Sequence, residues 1–238
     1  MIEDLIIIGA GGSSQQIGEA VEQVNLRQPR WNLLGFLDDD PTKLGKTILG
    51  LTVLGPVATA RQYSAKFIIG MANARDPGRR AKVLSSMGTD PERFATVIHP
   101  SAIVSRHARV GTGTAIMQNV VITQNSIVVD HVIILHNVSI GHDVTIEDFA
   151  TISPDSVITG ACRIGAGAYI GAGSAINNRC VVNPTAVVGL GSVVTKDVPA
   201  GWTVVGNPAT RLMPKGAAPT GDTSVLPAKS ATSGEDSG

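Results

Sequence analysis

His142 stands in the stretch Ile140-Gly141-His142-Asp143-Val144, and eighteen positions further on is Gly160. If the fold brings positions eighteen apart into register, an imidazole faces a glycine whose backbone N–H no side chain covers. An imidazole can take a proton from an attacking amine or hydroxyl, and a free N–H can steady a tetrahedral oxyanion. Asp143 can hold the ring in one tautomer and raise its basicity. That set of groups suits acyl transfer. His136, six residues earlier, is a candidate neighbour of the site, whereas His99, His107 and His131 read as structural or solvated. Three histidines could also hold zinc, but His131, His136 and His142 do not share the register of a single site, so no metal set is expected.

A second group lies near the N-terminus. Gly9-Ala10-Gly11-Gly12-Ser13-Ser14 follows an apolar run and has the outline of a phosphate-holding loop, although Ser14 takes the place of the last glycine of a GxGxxG motif. A tight strand-to-helix turn would read the same way. Asp38 and Asp39 end a second apolar run. An acidic residue there often contacts a ribose in a doubly wound fold, and a solvated turn is the plainer reading.

The elements that must position these residues follow from periodicity. Every sixth residue from Ile98 to Val194 is Ile or Val, seventeen positions without a break, and the residue four later is small or β-branched each time. A six-residue period is the mark of a parallel β-helix. Each hexad forms one flat side and one corner, three make a coil of eighteen residues, and coils stack at about 4.8 Å. The Ile/Val column should point inward, with the small column beside each corner. Between five and six coils fit. The register also stacks Cys162 on Cys180, read as reduced core thiols in contact, and Asn119, Asn137 and Asp155 as a polar ladder. No insertion breaks the frame, so no long loop interrupts the coils.

Before the repeat, residues 1–96 alternate apolar runs with amphipathic stretches. Leu5–Ile8, Leu33–Leu37 and Lys66–Gly70 read as strands. Helices are expected after the glycine loop, with Ile17, Ala20, Val21 and Val24 on one face, over Pro56–Tyr63, and over Asp76–Met87 before Gly88. Ile48–Leu54 around Gly50 suggests a hairpin. This order predicts a small Rossmann-like parallel sheet, and 97–200 the β-helix. Residues 201–215 form an exit segment, in which Val205-Gly206-Asn207-Pro208-Ala209 should leave the helix. Residues 216–238, rich in Ala, Gly, Pro, Ser and Thr, read as disordered.

Composition agrees with this division. The 238 residues carry no formal net charge, 3% are aromatic, and 27 are glycine. That suits stacked Ile, Val and Ala with glycine at many corners, and excludes a basic nucleic-acid surface. No stretch is long and apolar enough for a membrane span, no secretory signal pattern opens the chain, and two cysteines make no disulfide framework. A cytoplasmic location is the expectation.

On Leu5–Gly12, Gly35-Phe36-Leu37-Asp38-Asp39, His99-Pro100-Ser101-Ala102, Gly141-His142-Asp143 and Val205-Gly206-Asn207-Pro208-Ala209, the sequence resembles bacterial sugar acetyltransferases of the sialic acid O-acetyltransferase group. That group includes N-acetyltransferases of UDP-4-amino and GDP-perosamine sugars. The resemblance implies a left-handed β-helix and a homotrimer with sites in the clefts between neighbouring helices. It makes His142 the general base, with Asp143 beside it, and gives the Gly160 N–H to the thioester carbonyl of acetyl-CoA. It places CoA along later coils near Ala172 and Leu190, and the nucleotide on Gly9, Gly11, Gly12, Ser13, Asp38 and Asp39. The pattern departs where the family has Gly-His-Gly and this chain has Ser13-Ser14-Gln15. It departs again at Thr151, where a second family histidine would stand.

The expected activity is acetyl transfer from acetyl-CoA to the amino group of a nucleotide-linked sugar. Transfer to a sugar hydroxyl needs the same base, so the residues leave that alternative open. A non-catalytic β-helix that binds sugar nucleotides is the alternative of a different class, and it would tolerate loss of His142.

Overall fold

The computed structural model describes residues 2–213. The chain begins with β1 (Glu3–Ile8), α1 (Gly12–Arg27), β2 (Trp31–Leu37), β3 (Thr47–Ile48), β4 (Leu51–Gly55), a 3-10 helix (Val57–Gln62), β5 (Lys66–Ile69) and α2 (Arg79–Met87). The sheet order is β3-β4-β2-β1-β5, parallel except for β3, which pairs antiparallel to β4. Alternation in β1 decides its two sides. Leu5 and Ile7 pack with Ile17, Ala20 and Val21 of α1, whereas Ile6 and Ile8 pack with Val57, Phe67 and Met87. The β3–β4 hairpin turns at Leu49 and Gly50, both at positive φ, as a two-residue turn of the right hand requires.

Three expectations for this unit change. The stretch Pro56–Tyr63 is a 3-10 helix over Val57–Gln62, with Pro56 as its cap and not its first turn. Asp76-Pro77-Gly78 is a turn, so α2 starts at Arg79 and not at Asp76; it does end at Gly88, which is left-handed. Val24 is only half-buried. Gly35 sits at the irregularity where Leu5 pairs with Leu33 but Ile6 with Gly35. Its φ is +151°, and a Cβ there would lie 2.4 Å from the backbone oxygen of Thr52. Gly35→Ala should therefore cost about 2–4 kcal/mol through backbone strain and overpacking, read as a lower melting temperature.

From Val97 the chain forms a left-handed parallel β-helix of two-residue strands, three sides per coil. Face one stacks Val97–Ile98, Ala115–Ile116, Ile133–Ile134, Thr151–Ile152, Tyr169–Ile170 and Val187–Val188. Face two runs from Ile103–Val104 through Ser139–Ile140 to Val193–Val194, and face three from Arg109–Val110 through Thr145–Ile146 to Val181–Val182. Every pairing joins residues eighteen apart. The Ile/Val column is fully buried from Ile116 to Val188, with the small column inside beside it. Ile98, Val104 and Val110 are exceptions, since their strands end the three sheets and no coil lies beneath; Ile98 is 38% exposed.

Each corner carries one left-handed residue, and these recur every six positions from Gly113 to Gly191. Glycine, Asn and Asp hold most of them, the types that enter this region at least cost. Asn119, Asn137 and Asp155 are three such residues, and their side chains form the expected ladder with bonds of 3.2 and 3.1 Å.

At the exit, Thr203–Val205 first adds a parallel strand beside Val187–Val188. The chain then reverses through the cis Asn207–Pro208 bond, and Thr210–Arg211 pairs antiparallel, closing the end of face one. The physical reason is the unsatisfied edge of the last coil, which this strand covers. The tail at 216–238 lies outside the described residues. Among the described residues no helix is long and apolar enough to cross a membrane.

Candidate active site

His142 occupies the corner between faces two and three. Asp143, the left-handed residue of that corner at φ 58°, holds its Oδ2 2.7 Å from His142 Nδ1. Its Oδ1 accepts from Asn125 Nδ2 at 3.1 Å, one coil below. These bonds, from His142 first and Asn125 second, hold the Asp143 carboxyl below its ordinary value. A neutral ring that gives its Nδ1–H to this carboxylate keeps the lone pair on Nε2, the form a general base needs. Ala161 N donates to His142 O at 2.8 Å, so Gly160 lies directly against the ring. A Cβ on Gly160 would stand 2.5 Å from Nε2. The Gly160 N–H has no acceptor among the described residues. The pair is open to solvent, with both side chains more than half exposed. In the core column of that corner, one and two coils further on, Cys162 and Cys180 are buried free thiols, and burial pushes both up in pKa.

The other histidines go elsewhere. His131 is buried at the corner between faces three and one, stacked on Phe149 and edge-on to Phe94. His136 stands at the corner between faces one and two. Three histidines on three corners cannot converge on one ion. Ala172 and Leu190 stack in the column of His136, not of His142; Leu190 is 77% exposed.

The N-terminal residues do come together. Gly9, Gly11, Gly12, Ser13, Asp38 and Asp39 line one cleft of about 460 Å³, with Lys43, Gly70, Met71, Asn73 and Arg79. It opens at the carboxyl ends of β1, β2 and β5, on either side of the point where strand order reverses, the usual ligand position in such sheets. The loops meet closely, since a Cβ on Gly70 would lie 2.7 Å from Ser14 Cα. The two aspartates are partly committed to the scaffold. Asp38 accepts from Ala10 N (2.7 Å), Asp40 N (2.9 Å) and Lys43 Nζ (3.0 Å). Burial alone would raise its carboxyl, but these bonds outweigh burial and lower it. Asp39 accepts at 2.9 Å from the N–H of Val57, the first residue of the 3-10 helix.

The α/β unit that holds the cleft packs on the side of the β-helix opposite the histidine. Leu5, Ile7, Ile17 and Trp31 share a core with Ala115, Met117, Ile133 and Leu135, which are outward residues of face one and its edge. The corner of His142 is opposite that face. A residue the periodicity did not single out joins the two parts. Arg80 is 4% exposed and donates from Nη1 to Met71 O (2.9 Å) and Thr151 Oγ1 (2.8 Å), and from Nη2 to Ala150 O (2.9 Å) and to Phe149 O. Burial pulls it down to about 10, so it stays charged. Thr151 is thus enclosed beneath the N-terminal unit. A signal was present: two arginines open α2, where the helix dipole disfavours cations, so they need partners elsewhere.

A His–Asp pair set against a bare glycine on a hexapeptide β-helix, with an α/β unit whose cleft opens at its strand ends, is an arrangement that suits acyl transfer. Comparison narrows the group. Residues 4–84 match the PglD N-terminal domain family. The acetyltransferase domain of PglB from Neisseria gonorrhoeae, solved with acetyl coenzyme A, is 28% identical over 89% of this chain and 100% of that one, with a TM-score of 0.78. PerB from Caulobacter crescentus, solved with CoA and GDP-perosamine, is 25% identical over 90% and 99%, with a TM-score of 0.76. WeeI from Acinetobacter baumannii is 27% identical over 87% and 99%, with a TM-score of 0.73. No curated protein sequence matches the chain. The resemblance to the sugar acetyltransferases therefore holds across the α/β unit and the β-helix alike.

Proposed function

We propose that this protein transfers the acetyl group of acetyl-CoA to the amino group of a nucleotide-linked sugar. The observation that carries the reading is His142 Nε2 lying against Gly160 while Nδ1 is tied to Asp143 at 2.7 Å. The acceptor amine attacks the thioester carbonyl, whose developing oxyanion takes a hydrogen bond from the Gly160 N–H. Nε2 removes the amine proton as the C–N bond forms. The tetrahedral adduct then expels the thiolate of CoA, which recovers a proton from the imidazolium. Asp143 stabilises that imidazolium. The glycine loop with Ser13, Asp38 and Asp39 receives the nucleotide. The solved relatives, with acetyl coenzyme A on one and CoA with GDP-perosamine on another, support both substrates.

The working unit is a homotrimer. Within one chain the α/β unit that holds the cleft packs on face one, opposite the corner of His142, so a sugar bound there is offered to the base of a second copy. Face two supports the packing. Its outward column is Ile103, Val121, Ser139, Val157, Ala175 and Val193, with Ile103 66% and Val157 42% exposed. Face three instead presents Arg109 and Arg163, and face one is already covered. In such a trimer Ala172 and Leu190 line CoA from the neighbour's corner, opposite His142.

The test is release of free CoA on incubation with acetyl-CoA and a panel of UDP-, GDP- and dTDP-linked amino sugars, alongside matching sugars that carry hydroxyls but no amino group. Turnover should appear with at least one. Turnover only on sugars lacking an amino group would replace N- by O-acetylation, and none on any sugar would remove the reading. Asp143→Asn keeps a residue suited to the left-handed corner but not the charge. It should slow turnover about 10- to 1000-fold, since tautomer control and imidazolium stabilisation are lost together. The melting temperature should stay nearly unchanged.

A further inference from the structure

The cleft lining holds Asp38, Asp39 and Asp40 against Lys43 and Arg79, three carboxylates to two cations. Lys43 is engaged, at 3.0 Å from Asp38 and 3.9 Å from Asp40. Asp76, near Arg79 in sequence, is engaged by Lys82 at 3.7 Å. The Arg79 guanidinium has no ion pair and no side-chain hydrogen bond among the described residues. A diphosphate entering a lining left one charge negative needs a cation not already neutralised, and Arg79 is the one that remains. From the geometry we infer that Arg79 binds the phosphate groups of the sugar nucleotide, and that Arg80 is the positioning residue that holds it at the cleft. The inference rests on reading the cleft as the nucleotide site.

The role of Arg80 follows from its contacts. Its four acceptors are all neutral, and no carboxylate lies within ion-pair distance among the described residues. Burying a guanidinium without a countercharge is costly, so stability alone is a poor account of it. What the contacts accomplish is placement. One hand of the guanidinium holds Met71, in the cleft wall after β5, and both hands hold the coil at 149–151. The first turn of α2 is thereby fixed to the rigid β-helix, and Arg79, its first residue, is fixed across the cleft from the loop at Gly11–Ser13. That loop offers N–H groups at the start of α1, which suit the same anion.

The test is calorimetric binding of UDP, GDP and dTDP to the full chain as wild type, Arg79→Gln and Arg80→Met, with acetyl-CoA binding as control. Arg79→Gln should weaken the diphosphate that the wild type binds by about 10- to 100-fold, as for loss of a charge-assisted contact. Acetyl-CoA affinity and melting temperature should hold, because Arg79 is exposed. In turnover, KM for the sugar nucleotide should rise by the same factor with kcat little changed. Arg80→Met should shift diphosphate affinity in the wild type but add little in the Arg79→Gln background, since it acts through Arg79. An Arg79→Gln protein that binds diphosphate as tightly as wild type overturns the inference and leaves the acetyltransfer reading standing. An Arg80→Met protein with a lower melting temperature and unchanged affinity reduces Arg80 to a structural tie. A wild type that binds no nucleoside diphosphate overturns the nucleotide cleft itself.

Discussion

Replacing His142 by alanine is expected to lower acetyl transfer by about 100- to 10,000-fold, the range of a lost general base. Acetyl-CoA should still bind, because the Gly160 N–H and the coils beyond it are untouched. The fold should not suffer, since the side chain is 57% exposed and bonds only to the adjacent Asp143. His142→Asn, which keeps polarity and approximate size without a basic nitrogen, should be as slow as alanine. The measurements are CoA release under saturating substrates and a thermal melt. A variant that turns over within about threefold of wild type would remove His142 from the chemistry. The non-catalytic β-helix reading would then be preferred.

Gly160→Ala is the second large effect, and it comes from one methyl group. The added carbon would lie 2.5 Å from Nε2 and 2.7 Å from Cε1 of His142, closer than two such atoms can approach. The imidazole must swing outward, and the 2.7 Å bond to Asp143 is the contact it gives up. A misplacement of about 1 Å at a reacting group can cost 100-fold, so a loss of at least that order is expected in kcat. Gly160 is not among the positive-φ residues, so its backbone admits alanine and the coil stays folded. The check is non-additivity. The double variant Gly160→Ala, His142→Ala should be no slower than His142→Ala alone, because both act on one imidazole. An additive loss would mean that Gly160 acts independently, through its N–H alone.

Much of this site was legible from spacing because the β-helix converts sequence distance into spatial distance. Stacked parallel strands leave each residue one choice of neighbour, eighteen positions away, so Gly160 against His142 followed from counting, as did the ladder at Asn119, Asn137 and Asp155. The glycine loop and Asp38-Asp39 were legible for a different reason. They sit directly after apolar runs, and parallel strands bring those ends to one edge. The internal bonds of Asp38 and Asp39 were not legible, since nothing in a turn sequence says whether its carboxylate faces the backbone or a ligand. The strand at Thr203–Val205 escaped because the six-residue frame ends at Val194. An edge strand added after a change of register carries no periodic signal.

The chain of residue types thus determined by itself the β-helix, its coil register and the pairing of His142 with Gly160, since these depend on local repetition and the fixed geometry of stacked strands. Which face the α/β unit covers was decided only by tertiary structure. It depends on shape matching between Leu5, Ile7 and Ile17 on one part and Ala115, Ile133 and Leu135 on the other, residues whose types are ordinary and whose separations obey no period. That one choice buries Arg80 and leaves Arg79 on the cleft. It also sets the α/β unit on the face opposite the corner of His142, the arrangement from which the trimer is proposed.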